Sequence, residues 1–334
     1  MTALPSFPRR YLPLSDVYRR RFGCSVYKLP VAVAQTCPNR EGLRGMSVCV
    51  FCDEWGSAAY PEQAAAPLAA QVARTGARLR RRYGAEKFVV YFQAYTSTFV
   101  RISRLEALLA EAVAQPDVVG VAVGTRPDCL TGSVLERLAA LAATHHVSVE
   151  LGLQTLDDAQ LAWLARGHTR AQSLAALERL AAFPALDVCA HLMFGLPGEG
   201  DDQLRETAVL LSDRGVAGVK LHNLHVLKDT PLQRLYAQGR FTPVSLSEYA
   251  RRVGVFLEHL APWVAVHRLN AVASRWGEVV APGWAREKLR PTEAIRAHLA
   301  RVDTWQGRCH QGAPARGWVP AATRSVPAEG APWA

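Results

Sequence analysis

A chain of 334 residues that is 49% hydrophobic and 20% charged carries enough apolar surface for one sizeable core, alone or with an appendage. It has no run of 18 uninterrupted apolar residues, which argues against a membrane span, and its opening "MTALPSFPRRYLPLSD" has no apolar stretch behind a basic one, which argues against a secretory leader. A net charge of +10, carried almost wholly by arginine, favours polyanionic partners, while seven scattered cysteines read as reduced thiols of a cytoplasmic protein, not a disulfide framework.

In chain order, an N-terminal extension (1–25) with Arg19, Arg20 and Arg21 precedes a first apolar, β-branched run, "VYKLPVAVA" (26–34). An eighteen-residue loop follows it. Loops that long inside a compact domain are usually functional. From there helical and strand patterns alternate: a helix over 61–83 ending in "RLRRRYG", a strand over 87–95, a helix over 101–115, a strand over 118–125 and a helix over 132–144. The alternation continues with a strand over 147–155, a helix over 157–181, a strand over 186–195, a helix over 201–214, a strand over 218–226 and a helix over 246–260. The arginine clusters read first as solvated helix faces and second as a nucleic-acid footprint.

Strands alternating with helices imply βαβ units and a parallel sheet covered on both faces, either doubly wound or an incomplete β/α barrel. Polar residues gather where strands end: Gln93 and Tyr95, Thr125 and Arg126, Gln154, the "GLPGE" of Gly195–Glu199, then His225 and Lys228. That rim favours the barrel, since barrel enzymes build their sites there. The expected fold is an α/β incomplete (β/α)6 TIM-like barrel over 26–262. A small C-terminal cap over 263–310 is expected to contain "HRLNA" and "DTWQGR", followed by a Pro- and Ala-rich disordered tail over 311–334.

The loop "TCPNREGLRGMSVCVFC" holds Cys37, Cys49 and Cys52. Three thiolates suit either zinc or an iron–sulfur cluster. A structural zinc needs a fourth protein ligand, for which Cys24 is the best candidate, whereas Cys129 and Cys189 read as core thiols and Cys309 lies far along the chain. On a cubane, three thiolates leave one iron open to a small molecule.

With "RFGCSVYKLPV", "YFQAYTSTF", "ELGLQT", "RGHTR", "HLMFGLPGE", "GVKLHNLHVLKDTPL" and "TWQGR" in this order, the chain resembles the radical S-adenosylmethionine (SAM) superfamily. More narrowly it resembles the YhcC/YtqA-type subgroup, related to elongator-type and coproporphyrinogen-dehydrogenase-type enzymes. The loop departs from the subgroup in "GMSVCVFC", where glycines more often precede the second cysteine, and "APGW" (281–284) follows the terminal pattern only loosely. The resemblance implies a [4Fe–4S] cluster on Cys37, Cys49 and Cys52, with SAM on the open iron and a 5′-deoxyadenosyl radical as the product of its reductive cleavage. It puts Phe51 against the adenine and Gln93 on the methionine amino group. Gln154 and Arg166 fall on the ribose and the methionine carboxylate, and His191 on the ribose hydroxyls. The Gly195 turn is placed close to the adenine. Each also has a plain structural role open to it: core packing for Phe51 and His191, backbone bonding for Gln93, a helix C-terminal cation for Arg166. His225 and Lys228 are expected near the substrate. The same resemblance suggests tRNA modification at the side chain of wobble uridine, with flavodoxin or ferredoxin as electron donor. A small metabolite or a protein is the alternative substrate, and a zinc-stabilised nucleic-acid-binding protein the alternative without catalysis.

Overall fold

The computed structural model describes residues 9–56, 62, 64–272 and 275–312, so the expected tail lies, from residue 313 on, outside the described residues. Nine strands and ten helices follow one another among them. The first part runs α1 (Leu14–Phe22), β1 (Val26–Val31), α2 (Leu68–Tyr83), β2 (Lys87–Phe92), α3 (Ile102–Val113), β3 (Val118–Thr125), α4 (Gly132–Ala142), β4 (His146–Gln154), α5 (Asp158–Trp163) and α6 (Arg170–Ala181). The second runs β5 (Asp187–Phe194), α7 (Asp201–Asp213), β6 (Gly218–Asn223), β7 (Val226–Leu227), α8 (Pro231–Ala237), α9 (Leu246–His259), β8 (Ala265–Arg268), β9 (Val279–Ala281) and α10 (Arg290–Arg301). No helix among the described residues is long and apolar enough to cross a membrane.

Seven strands share one sheet in the order β1-β2-β3-β4-β5-β6-β8. A doubly wound sheet reverses its order at a switch point, and this one does not. The sequential order is that of a β/α barrel, with β1 and β8 left as edges, so the barrel is incomplete. The strand beyond the six expected is β8. It pairs in parallel with β6 and opens the segment expected to be a cap. The β8 edge is covered in turn by the N-terminal segment, where Leu12 accepts from the Val266 N–H at 2.7 Å.

By compactness the described chain divides into residues 17–189 and residues 190–312 with 9–16. In the first unit β1 to β4 pair in parallel, with Val31 opposite Phe92, Phe92 opposite Val123 and Val123 opposite Val149. Every residue of β4 up to Leu153 is buried, as a strand covered on both faces should be. The helix expected over 157–181 is two helices. Ala165 (φ 51°) and Gly167 (φ 75°) take the left-handed conformation, and Thr169 with Gln172 forms a capping box that starts α6 afresh.

Charge is also buried in this unit. Lys28 of β1 pairs with Glu150 of β4, whose side chain is fully enclosed. Burial works against the Lys28 ammonium, but Glu150 outweighs it and holds the pKa above the usual lysine value. Below them Arg21 of α1 donates to Asp187 at 2.8 Å beside His146.

In the second unit α9 packs on α7 and α10. Its Tyr249 hydroxyl donates to the Leu269 carbonyl at 2.7 Å. The strand expected over 218–226 stops at Asn223, where the Asn223 Oδ1 accepts from the Ala271 N–H at 2.8 Å; β7 then pairs with β9 in a separate two-stranded ladder.

Removing one partner of a buried ion pair strands the other charge. Lys28→Met is therefore expected to lower the unfolding free energy in urea by about 3–5 kcal/mol. Adding Glu150→Leu is expected to restore most of it.

Candidate functional site

The segment after β1 joins no strand, and short backbone turns shape it, among them a 3-10 turn at Leu43–Gly45. The Cys37 carbonyl accepts from the N–H groups of Arg40 (3.0 Å) and Glu41 (3.1 Å), and the Cys49 carbonyl accepts from the Cys52 N–H (3.0 Å). All three cysteines are free thiols, Cys49 buried and the other two half-buried. Arg40 and Tyr95 feel the charge of both Cys37 and Cys52, and Cys49 acts on Cys52, which gathers the three into one electrostatic neighbourhood. Burial pushes the Cys52 thiol up to about 12, with Cys49 adding and Arg40 opposing. A metal bound here displaces a proton. Cys24 instead lies before β1, beside Glu86 and Lys87. The six-residue length of β1, about 20 Å, separates it from the loop thiols, so it does not close a zinc site with them.

What fixes the loop is the break between α5 and α6. An uninterrupted helix would use the carbonyls of Leu164, Ala165 and Arg166; here they are free to accept from elsewhere. Leu164 accepts from the Val50 N–H at 3.0 Å, Ala165 from Asn39 Nδ2 at 2.8 Å and Arg166 from Arg126 Nη1 at 2.8 Å. Arg126, only 1% exposed, also donates to Asn39 Oδ1 and makes a two-pronged contact with Asp128 at 2.9 Å through Nε and Nη2. Burial would raise the Asp128 pKa, but Arg126 outweighs it and holds the carboxyl below its usual range. Nearby His168 is pushed down to about 3 by burial, with Arg166 and Arg126 adding, so it is neutral. Gly167 is required at the break because a Cβ there would sit 2.3 Å from the Met46 sulfur.

At the far end of the loop Tyr95 stacks on Gly56, where a Cβ would come within 2.2 Å of its ring, and donates its hydroxyl to the Glu54 carbonyl at 2.7 Å. Arg40 lies over the Tyr95 ring at 5.4 Å and donates to the Asp53 carbonyl. Sequence reading placed Tyr95 and Arg126 on the rim without a role, and it missed Asn39, Asp128 and Arg40.

The residues expected to hold SAM in this unit are partly brought together. Gln154, the last residue of β4, and Arg166 converge over Gly152. A Cβ at Gly152 would lie 2.7 Å from Arg166 Nη2 and 3.0 Å from Gln154 Nε2. Arg166 donates to the Gly152 carbonyl at 3.1 Å, stands 3.7 Å from Cys49 Sγ, and keeps a buried Nε without a protein partner. A guanidinium with an unused N–H, beside a buried thiol, suits a carboxylate. Gln93 is the first residue after β2, half-buried, its N–H bonded to the Val31 carbonyl at 3.2 Å. Phe51 follows the tethered Val50 and is half-buried. Three thiols, an unsatisfied guanidinium and glycines where side chains approach closely fit a three-thiolate cluster carrying a small zwitterionic ligand.

In the other unit β5 leads into the Gly195 turn (φ 91°), which Glu199 closes by accepting from the Gly195 N–H at 2.8 Å while Arg252 holds it at 2.5 Å. His191 lies on β5, its ring 5.5 Å from that of His222. His225 Nδ1 contacts the Asn223 carbonyl at 3.1 Å and is half-buried; Lys228 is exposed beyond β7.

Compared with known proteins, the chain matches the Radical SAM superfamily over residues 31–211 and the Radical_SAM C-terminal domain over residues 216–301. Protein YhcC of Escherichia coli (strain K12) is 37% identical over 270 residues, 80% of this chain and 85% of that one. YtqA of Bacillus subtilis, described as uncharacterized, is 32% identical over 91% of this chain and 94% of its own. A tRNA uridine(34) acetyltransferase of Dehalococcoides mccartyi is 29% identical over 49% of this chain and 36% of its own length. The structure of Methanocaldococcus infernus Elp3 superposes with a TM-score of 0.59 at 19% identity. It covers 71% of this chain, which spans 59% of that one, and it supports the barrel fold.

The loop tie is testable on the metal-free protein. Arg126→Gln and Asn39→Ala are expected to speed tryptic cleavage after Arg40 and Arg44 severalfold, with the far-UV spectrum unchanged. Equal cleavage rates would mean the loop is held by other contacts.

Proposed function

The chain belongs to the radical SAM superfamily, and on that premise we propose that it modifies a tRNA nucleotide, at the side chain of the wobble uridine. It is an enzyme whose cofactors are a [4Fe–4S] cluster and SAM. When bound, that pair supplies a 5′-deoxyadenosyl radical able to take hydrogen from an unactivated carbon. Cys37, Cys49 and Cys52 hold the cluster. Arg166 offers its unused Nε and its fork to the methionine carboxylate, with Gln154 beside it over Gly152 for the ribose. In the first unit Gln93 is assigned to the methionine ammonium and Phe51 to the adenine; in the second, the Gly195 turn is assigned to the adenine and His191 to the ribose hydroxyls. His225 and Lys228 stand on the substrate side. The carrying observation is Arg166, half-buried, whose Nη1 lies 3.7 Å from the Cys49 sulfur while its buried Nε keeps no protein partner.

The tRNA reading draws on the partial similarity to a tRNA uridine(34) acetyltransferase and on the excess of ten positive charges, which favours a polyanion. A flavodoxin or ferredoxin of the cytoplasm serves as the electron source. The target base must leave its stack to reach a site on a barrel rim, which single-stranded anticodon loops allow cheaply.

Anaerobically purified protein is expected to hold about four irons per chain and to release 5′-deoxyadenosine on reduction with SAM, and Cys49→Ala to abolish both. Nucleoside mass spectrometry of tRNA from a deletion strain is expected to show a changed wobble-uridine derivative. An unchanged profile in cells that express the protein would leave the radical chemistry and remove tRNA as substrate, in favour of a small metabolite or a protein.

A further inference from the structure

The helix α2, Leu68–Tyr83, carries Arg74, Arg78, Arg80, Arg81 and Arg82 and no acidic residue. Its apolar side faces the sheet: Leu68, Val72 and Gly76 are buried, Gly76 against Phe88 of β2 and Leu29 of β1. Arg74 and Arg81 share the exposed side two turns apart, and Arg82 is exposed at the helix end. A solvated helix commonly offsets its cations with acids one turn away. Arg80 reaches Asp117 across the turn before β3, whereas among the described residues Arg74, Arg81 and Arg82 form no ion pair. The helix dipole accounts for cations in the last turn but not for Arg74.

An aromatic ring stands beside this charge. Tyr83 is 43% exposed and stacks on Tyr27 of β1, with ring centroids 5.4 Å apart and planes 12° from parallel. Arg82 lies over the Tyr83 ring at 5.4 Å. Further charge is at hand, for Arg19 and Arg20 are exposed in the last turn of α1, which ends at Phe22 just before β1 begins at Val26. The link between them is tied to the α2–β2 turn, where the Ser25 N–H donates to Glu86 at 2.7 Å.

Such a face draws polyanions, and its chemistry chooses among them. An anionic lipid surface takes up the apolar side of a helix, and α2 has turned that side into the core. An acidic protein uses the arginines alone. RNA uses both features, with phosphates on the guanidinium forks and a base on the ring.

We propose that Arg74, Arg81, Arg82 and Tyr83 form an RNA-docking face, resting on the tRNA reading above only for which RNA is bound. The face lies at the end of the sheet where β1 begins, and the cysteine loop leaves from the other end. The six residues of β1 separate the two by about 20 Å. The face therefore grips RNA away from the target nucleotide and serves recruitment.

The test is anisotropy titration of the cluster-loaded full chain with a fluorescent anticodon stem-loop at several salt concentrations. The combined variant Arg74→Gln, Arg81→Gln, Arg82→Gln is expected to bind at least tenfold more weakly. Its slope of log affinity against log salt is expected to be shallower by about 2–3, near one unit per arginine. Tyr83→Ala is expected to weaken binding severalfold with the slope unchanged, and Tyr83→Trp to restore it. Arg240→Gln, exposed in the other unit, is expected to change neither. Should Tyr83→Ala disturb the end of α2, the arginine variant, altered only at exposed side chains, decides alone. Absence of RNA binding, or binding undiminished in the arginine variant, overturns the proposal. So does a variant that loses flavodoxin or phosphatidylserine vesicles while keeping RNA. RNA held on this face with an unchanged nucleoside profile in the deletion strain would sink the wobble-uridine reading and spare the face.

Discussion

A loop that adds no strand to the sheet, and only one short 3-10 turn of its own at Leu43–Gly45, is positioned largely by side chains, and here one guanidinium carries much of that duty. Arg126 reaches the loop through Asn39 and Met46, its own strand end through Asp128, and the α5–α6 break through the Arg166 carbonyl. Taken singly, its elements are unfavourable. A guanidinium in the interior forfeits several kcal/mol of hydration. Each carbonyl released by an interrupted helix costs about 1–3 kcal/mol if left without a donor. Together they cancel: the break exposes three successive carbonyls, and the loop and Arg126 supply three donors. The interruption of the helix and the placement of the thiols are one structural event.

The same economy governs the backbone at the rim. Tyr95 (φ 54°) and Gln154 (φ 68°) adopt the left-handed conformation although neither is glycine, at a cost of order 1–3 kcal/mol each. Tyr95 turns so that its ring lies on Gly56 and its hydroxyl reaches Glu54, closing the end of the loop opposite to Arg126. Gln154 turns so that its amide meets Arg166 above Gly152. Two of the left-handed non-glycine residues thus fall just after β2 and at the end of β4, while β2, β3 and β4 themselves are largely buried. That division suits a site needing rigid placement on a stable base.

Much of this was legible in the chain of letters. The six long strands were expected within a few residues of where they lie, because fully covered parallel strands leave long apolar runs. The three thiols of one loop suggested a metal by their spacing, with zinc and an iron–sulfur cluster both open to them. The short strand β8 was not found: "AVHR" offers four residues, half of them polar, too few for a period to show. The α5–α6 break was hidden because Gly167 sits inside an otherwise helical pattern and helices tolerate single glycines. The tie itself was invisible in principle. Arg126 meets Asn39 across 87 positions of sequence and Arg166 across 40, and His222 meets Arg268 across 46, so no local pattern connects them.

The net charge gains meaning once the buried pairs are set aside. Arg21 with Asp187, Lys28 with Glu150, Arg126 with Asp128 and Arg252 with Glu199 each join one base to one acid with little or partial access to water. Every such pair is neutral, so removing all four from the count leaves the excess of ten positive charges on the rest of the molecule. Interior electrostatics and exterior charge are therefore separate variables. The interior pairs are screened little by salt and position the barrel and its loop, whereas exposed arginines act through a potential that decays over about 8 Å at physiological ionic strength. A polyanion drawn to this surface would associate in a strongly salt-dependent way, while the geometry around Arg126 would hardly change over the same range of ionic strength. Salt thus separates recruitment of a charged partner from chemistry at the site.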